Sequence, residues 1–175
     1  PLTNTIGVVM PFGTDLSSLI DAFTTSGSSV SVNGSAQISG TTIVNYFSPV
    51  LYVVSAADAT TSSYTVTVTV APSDAKSITS FSLDGVAGTI NSATKAISVV
   101  MPFGTSVTSL IETFTTTGSQ VSVGGATQVS GLTSENYTSP VIYVVSAADA
   151  STSSYTVTVS IAPSSAKLLA AYSLS

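Results

Sequence analysis

The sequence predicts an all-β chain of two tandem β-sandwich modules, the first of which lacks its opening strand. Three observations predict this. The chain repeats itself: the stretch from Val8 (VVMPFGT) returns at Val99 (VVMPFGT), an offset of 91 residues, and about seven positions in ten are identical between 8–76 and 99–167. Apolar residues alternate with threonines in Tyr64–Val70 (YTVTVTV) and again in Tyr155–Ser160 (YTVTVS), the period of a strand with one buried face. Gly, Pro and Asn punctuate the chain at short intervals, as the turns of a sandwich require.

Each module opens on an apolar strand, Ile6–Met10 in the first copy and Ile97–Met101 in the second. Pro11 and Gly13, then Pro102 and Gly104, end these strands. In Thr14–Phe23, Leu16, Leu19, Ile20 and Phe23 fall at helical spacing, and Thr14 or Asp15 can cap, so a helical turn or two is expected across one end of the sandwich. Val30–Val32 and Ala36–Ile38 flank Asn33–Gly34, a hairpin signal, and Gly124–Gly125 holds the same place in the second copy. Pro49–Ser55 (PVLYVVS) reads as a buried strand. Ala56–Ser63 connects it to Tyr64–Val70, and the two strands form a hairpin that closes the module.

Each repeat has about the size of an immunoglobulin-like sandwich. The expected boundaries are 1–74 for the first, incomplete module, 75–165 for the second, complete one, and 166–175 for a C-terminal segment. The joint Ala71–Lys76 (APSDAK) is short and holds one Pro, which predicts a semi-rigid connection and a rod of end-to-end modules.

The same offset relates the ends. Ala166–Ser175 (AKLLAAYSLS) repeats Ala75–Asp84 (AKSITSFSLD), whereas Pro1 falls on Ser92, past that segment. One module thus lacks a first strand and one first strand is spare, so the tail of one molecule is expected to complete the head of the next. The expected donor strand is Leu168, Leu169, Ala170, Ala171, Tyr172, Ser173 and Leu174. The expected acceptor groove is lined by Ile6, Val8, Val9, Met10, Tyr64, Val66, Val68 and Val70. Strand addition is an established recognition mode, and a head-to-tail contact that does not close on itself makes a filament.

The pattern AK-x-I-x-x-F-x-L, then I-x-V-x-M-P-x-G-T, then Y-x-V-x-A-x-D-x-x-x-x-x-Y-T-V-T-V resembles the immunoglobulin-like and cadherin-like tandem β-sandwich repeats of large bacterial surface proteins. The resemblance covers nearly all of both copies. It implies an extracellular or cell-surface location and a spacer or adhesive role. In its logic, though not in its motifs, the arrangement at the ends resembles pili assembled by donor-strand exchange. Three readings stay open: a head-to-tail extracellular homopolymer, a fragment of a tandem-repeat adhesin acting as spacer or binding arm, and a tail folded back on its own first module.

Composition narrows the chemistry. Apolar residues make up 43% of the chain, enough for a core, and charged residues only 6%. The net charge of -5 argues against nucleic acid or an anionic membrane as partner. No apolar run approaches the length of a membrane-spanning helix. His, Cys, Arg and Trp are absent, which excludes Ser-His-Asp and Cys-His catalysis and ordinary zinc sites. No enzyme activity and no cofactor or metal are expected. The partner expected is the chain itself, and a glycan or other surface ligand is left open.

Acids recur in both modules only at Asp21/Glu112 and Asp58/Asp149. Each of the latter pair lies alone in its turn, which suits a bond to its own backbone better than calcium. Lys76 and Lys167 are equivalent, and read as solvated charges at the joints. No motif places Lys, Asn and an acid together for an isopeptide cross-link. The Thr65/Thr67/Thr69 row reads as ordinary strand surface. Asn33-Gly34-Ser35 and Asn136-Tyr137-Thr138 match the N-glycosylation pattern, and neither is repeated in the other module.

Overall fold

The computed structural model describes residues 4–165 and 167. The expected donor strand Leu168–Leu174 lies outside the described residues. The chain divides into two compact units, Pro1–Pro72 and Ser73–Ser175. The described residues form strands and turns only, the all-β, two-module architecture that the alternation predicts.

Unit 1 contains β1 (Asn4–Met10), β2 (Leu19–Ile20), β3 (Ser29–Val32), β4 (Ser35–Ala36), β5 (Ile43–Val44), β6 (Val50–Ser55) and β7 (Thr61–Val70). Its larger sheet runs in the order β1-β7-β6-β3-β4, and β2 pairs with β5 apart from it. The β6–β7 hairpin is antiparallel, with Val50 opposite Val66 and Tyr52 opposite Tyr64. β1 joins β7 in parallel, with Ile6 beside Val66 and Val8 beside Val68. Alternation gives the face of such a strand but not its direction, because both pairings present the same side-chain period.

Unit 2 contains β8 (Ile78–Leu83), β9 (Val86–Ala87), β10 (Thr89–Asn91), β11 (Ala96–Met101), β12 (Leu110–Thr116), β13 (Gln120–Val123), β14 (Ala126–Thr127), β15 (Ser134–Glu135), β16 (Val141–Ser146) and β17 (Thr152–Ile161). One sheet runs β10-β11-β17-β16-β13-β14 and the other β15-β12-β8-β9. The core lies between them. It gathers Ile78, Phe81 and Leu83 of β8, Ile97, Val99 and Met101 of β11, Leu110 and Phe114 of β12, and Tyr143 and Val157 of the hairpin.

By the 91-residue offset, β11 to β17 correspond one by one to β1 to β7, with β12 matching β2. Among the described residues of unit 1 nothing corresponds to β8, β9 and β10. Turn chemistry is duplicated. Asn33 and Gly34 take positive φ (48° and 78°), as do Gly124 and Gly125 (56° and 88°), the backbone that a two-residue hairpin demands.

The helical turns expected at Thr14–Phe23 are not formed. Leu19–Ile20 is a strand, and its counterpart in unit 2 is the seven-residue β12. Leu110, Glu112 and Phe114 face inward and Ile111 and Thr113 outward, a period of two. The reason is tertiary: β2 pairs antiparallel with β5, Leu19 opposite Val44, and β12 with β8, Phe114 opposite Phe81 and Glu112 opposite Leu83, and ladder bonds outweigh a weak helical preference. Thr14 instead bonds the Pro11 carbonyl (2.7 Å), and Asp15 Oδ1 accepts from the Ser17 amide (2.8 Å).

The lysine at the joint is not a solvated charge. Lys76 is half-buried and its Nζ donates to the Asp74 carbonyl (2.9 Å) and to Ser151 Oγ (2.8 Å). Lys95 lies over the Tyr155 ring, 5.2 Å from its centroid, a cation–π contact. Asp58 and Asp149 do tie their own turns, accepting from the amides of Thr60 (3.0 Å) and Ser151 (2.8 Å).

Candidate functional site: an open groove in the first unit

Alternation dictates that Ile6, Val8 and Met10 share one face of β1, as Ile97, Val99 and Met101 share one face of β11. The two faces meet different surroundings. Ile97, Val99 and Met101 are 0–2% exposed beneath β8. Ile6 and Val8 are 44% and 38% exposed. They line a groove of about 640 Å³ together with Met10, Tyr64, Val66 and Val68. Its opposite wall is the segment 19–27, with Leu19, Asp21 and Phe23, and its floor includes Tyr52 and Val54. That opposite wall is the counterpart of β12, the strand that β8 pairs with in unit 2.

Of the residues expected at this site, six therefore line one cavity. Val9 does not; it is 70% exposed on the other face of β1. Val70 lies at the end of β7, outside the lining. The strand period explains Val9, which is out of phase with Val8 and Met10; Val70 is in phase but lies at the last pair of the ladder, opposite Met10.

The residues that sequence reasoning missed are those of the far wall and floor. Tyr52 donates to Asp21 Oδ2, and the Tyr46 and Tyr52 hydroxyls bond each other. Phe23 meets Tyr52 edge to face, with ring centroids 6.4 Å apart. The signal that could have found them is the set Leu19, Asp21 and Phe23, spaced two apart as on one face of a strand. Burial, and then the bond to Asp21, push the Tyr52 phenol well above its usual range, so it stays a donor. Asp21 Oδ1 is buried with no partner among the described residues.

Unit 2 shows the same cluster sealed. Tyr137 and Tyr143 bond through their hydroxyls, and Thr133 Oγ1 donates to Glu112 Oε1. Glu112 is fully buried. Phe81 of β8 packs edge to face on Tyr143 at 5.4 Å, closing the space that is open in unit 1. Among the described residues no group of three or more His, Cys, Asp or Glu is placed to hold a metal ion.

No curated protein matches the chain. Among solved structures, a Bacteroides thetaiotaomicron protein provisionally described as a glycoside hydrolase is similar over 51% of this chain and 26% of its own, at 32% identity and a TM-score of 0.40. A Bacteroides fragilis protein provisionally described as secreted is similar over 50% of this chain and 96% of its own, at 16% identity and a TM-score of 0.38. The chain thus spans about a quarter of the first of these proteins. At such scores neither likeness carries an argument about activity.

The family described as "SGBP, N-terminal" (surface glycan-binding protein) matches residues 2–68 and 78–159, and the second match includes β8. No helix among the described residues is long and apolar enough to cross a membrane. With most of both repeats matched, the chain belongs to the SGBP N-terminal family, a β-rich family of binding type found outside the cell or on its surface.

Proposed function

We propose that this chain is a structural subunit of the cell surface whose first unit is completed by an added β-strand. The strand is Leu168–Leu174 of a neighbouring copy, so that copies join head to tail in an extracellular homopolymer. The observation that carries the reading is the unequal burial of equivalent residues: Val99 is 1% exposed under β8, and Val8 is 38% exposed in an apolar groove of strand dimensions. Leu168–Leu174 is the equivalent of Ser77–Leu83 by the repeat offset. Burying two leucines and a tyrosine contributes roughly 1.5–3 kcal/mol each. Ladder hydrogen bonds to segment 19–25 add about 1 kcal/mol each.

A second reading is favoured by the family. In it the two modules are a spacer or binding arm of a tandem-repeat surface protein, and a glycan is the ligand presented or gripped. Electron microscopy of the full chain and of a variant lacking Leu168–Ser175 separates the two. Filaments that vanish on deletion support the homopolymer. Monomers in both samples overturn it and leave the spacer or binding arm, for which retention on immobilised polysaccharide is the direct assay.

A further inference from the structure

Ser77, the residue that leads into β8, is held in unit 2 by three bonds to its main chain. Its amide donates to Thr117 Oγ1 (2.9 Å). Its carbonyl accepts from the Thr117 amide (2.9 Å) and from Thr116 Oγ1 (3.0 Å). Thr116 Oγ1 is itself set in place by the Gly118 amide, which donates to it (2.9 Å). By the repeat offset, Thr25 and Ser26 hold the places of Thr116 and Thr117 in unit 1, and both line the open groove.

We infer that Thr25 and Ser26 form a main-chain clamp that seizes the leading residue of the strand which a second copy adds to the groove. The inference rests on the proposed strand addition and deepens it. Two observations carry it. The first is that the clamp is already built. The Gly27 amide donates to Thr25 Oγ1 at 2.9 Å, as Gly118 does to Thr116. The Ser28 amide and hydroxyl both reach the Ser55 carbonyl (2.7 and 2.9 Å), as those of Ser119 reach Ser146 (2.8 and 3.0 Å). The backbone that carries the hydroxyls is thus anchored to the end of β6 in unit 1 and of β16 in unit 2. It has the same anchors with and without a strand beside it, so binding requires little further ordering. The second observation is that the clamp is engaged only where a strand is present. Among the described residues the Thr25 hydroxyl donates to none and Ser26 makes no hydrogen bond, whereas their equivalents both bond Ser77. Both residues are exposed, within reach of an incoming chain.

The clamp's position sets the register. The pairing of β8 with β12 shifts between Thr115 and Thr116, right beside it: Thr115 faces Ser80 and Thr116 faces Ile78. Beyond that shift Ile78, Phe81 and Leu83 turn into the core. A strand held at its leading residue cannot slide along the groove or enter the other way round without losing all three bonds. Because these bonds go to main chain, the clamp accepts any side chain at that position and excludes proline, which has no N–H. Thr115 differs, since its hydroxyl bonds the side chains of Thr79 (2.6 Å) and Ser80 (2.8 Å). Its equivalent Thr24 therefore contributes according to the residues a strand brings, and Thr25 and Ser26 do not.

The test is self-association of the full chain, measured by sedimentation velocity over a concentration series, with Ser26→Ala and Ser26→Thr. Ser26 bonds no described residue, so the alanine removes an acceptor without breaking a bond within unit 1. Association weakened roughly three- to tenfold by Ser26→Ala and kept by Ser26→Thr, which supplies the hydroxyl of Thr117, supports the clamp. Ser26→Ala chains that associate like the parent overturn the clamp and leave strand addition standing. Equal weakening by both substitutions does the same, since the threonine retains the acceptor. A parent chain that stays monomeric overturns both.

Discussion

Glu112 shows how a single carboxyl ties stability to pH. Burial raises its pKa, the Glu135 carboxylate adds to that, and the bond from Thr133 opposes it. The groups facing it are Glu135 on β15, Thr133, and the tyrosines 137 and 143, and none is a cation. In the folded state the proton is therefore held to higher pH than in the unfolded chain, where an ordinary glutamate titrates near 4.5. The folded form binds more protons through that window, so stability falls as pH rises from the unfolded pKa through the folded one. Glu112→Gln is expected to flatten the slope and to raise the melting temperature of unit 2 at neutral pH. Melting curves from pH 4 to pH 8 on both chains check it, and an identical slope in the variant counts against it.

Glycine marks a close approach at the same place in both repeats. A Cβ at Gly118 would sit 2.4 Å from Val145 Cγ1 and 2.7 Å from the Ser146 carbonyl, and a Cβ at Gly27 would sit 2.4 Å from Val54 Cγ1 and 2.8 Å from the Ser55 carbonyl. The carbonyl belongs to a paired strand and cannot step aside cheaply. Gly118→Ala is expected to cost unit 2 about 1–3 kcal/mol by overpacking, read from urea unfolding.

At the level of the element, equivalent substitutions should behave unequally. Val99→Ala removes two buried methyl groups and is expected to cost about 2 kcal/mol. Val8→Ala, in the open groove, should stay within about 0.5 kcal/mol. Phe81→Ala takes away the ring that closes unit 2 and should cost about 3–5 kcal/mol. Hydrogen exchange gives an independent reading. The amides of β12 are laddered to β8 and β15, whereas segment 21–25 forms no strand, so amides there should exchange well before those of 112–116. Equal protection would mean that the groove wall is paired in solution by something other than the described residues.

For the molecule as a whole, two units with unequal cores predict two thermal transitions. Unit 2 has the larger buried cluster, and unit 1 leaves Ile6 and Val8 in the groove, so unit 1 should melt first. A synthetic peptide of residues 166–175 is expected to raise only the lower transition. The gain would be about 2.7 kcal/mol when free peptide is a hundred times its dissociation constant. Calorimetry resolves both statements, and a peptide that moves the upper transition alone would place the added strand in the wrong unit.

Much of this was legible in the sequence for a local reason. A strand writes its face in every second residue, and a two-residue hairpin writes its turn in Asn-Gly or Gly-Gly, so the strands Ile6–Met10, Pro49–Ser55 and Tyr64–Val70 and the lining residues Ile6, Val8, Met10, Tyr64, Val66 and Val68 follow from pattern alone. The internal offset likewise determined that there are two modules of one kind. What only the tertiary structure decided is non-local. LSSLIDAF satisfies a helical and a strand period alike, and the choice fell to partner strands: β12 is seven residues long beside β8 and β15, and its equivalent β2 is two residues long beside β5. The parallel seating of β1 on β7, the inward turn of Asp21 and Glu112, and the shifted register that sets Ile78, Phe81 and Leu83 in the core arise in the same way. Each depends on hydrogen-bond partners distant in sequence, and no window of neighbouring residues encodes which of them will arrive.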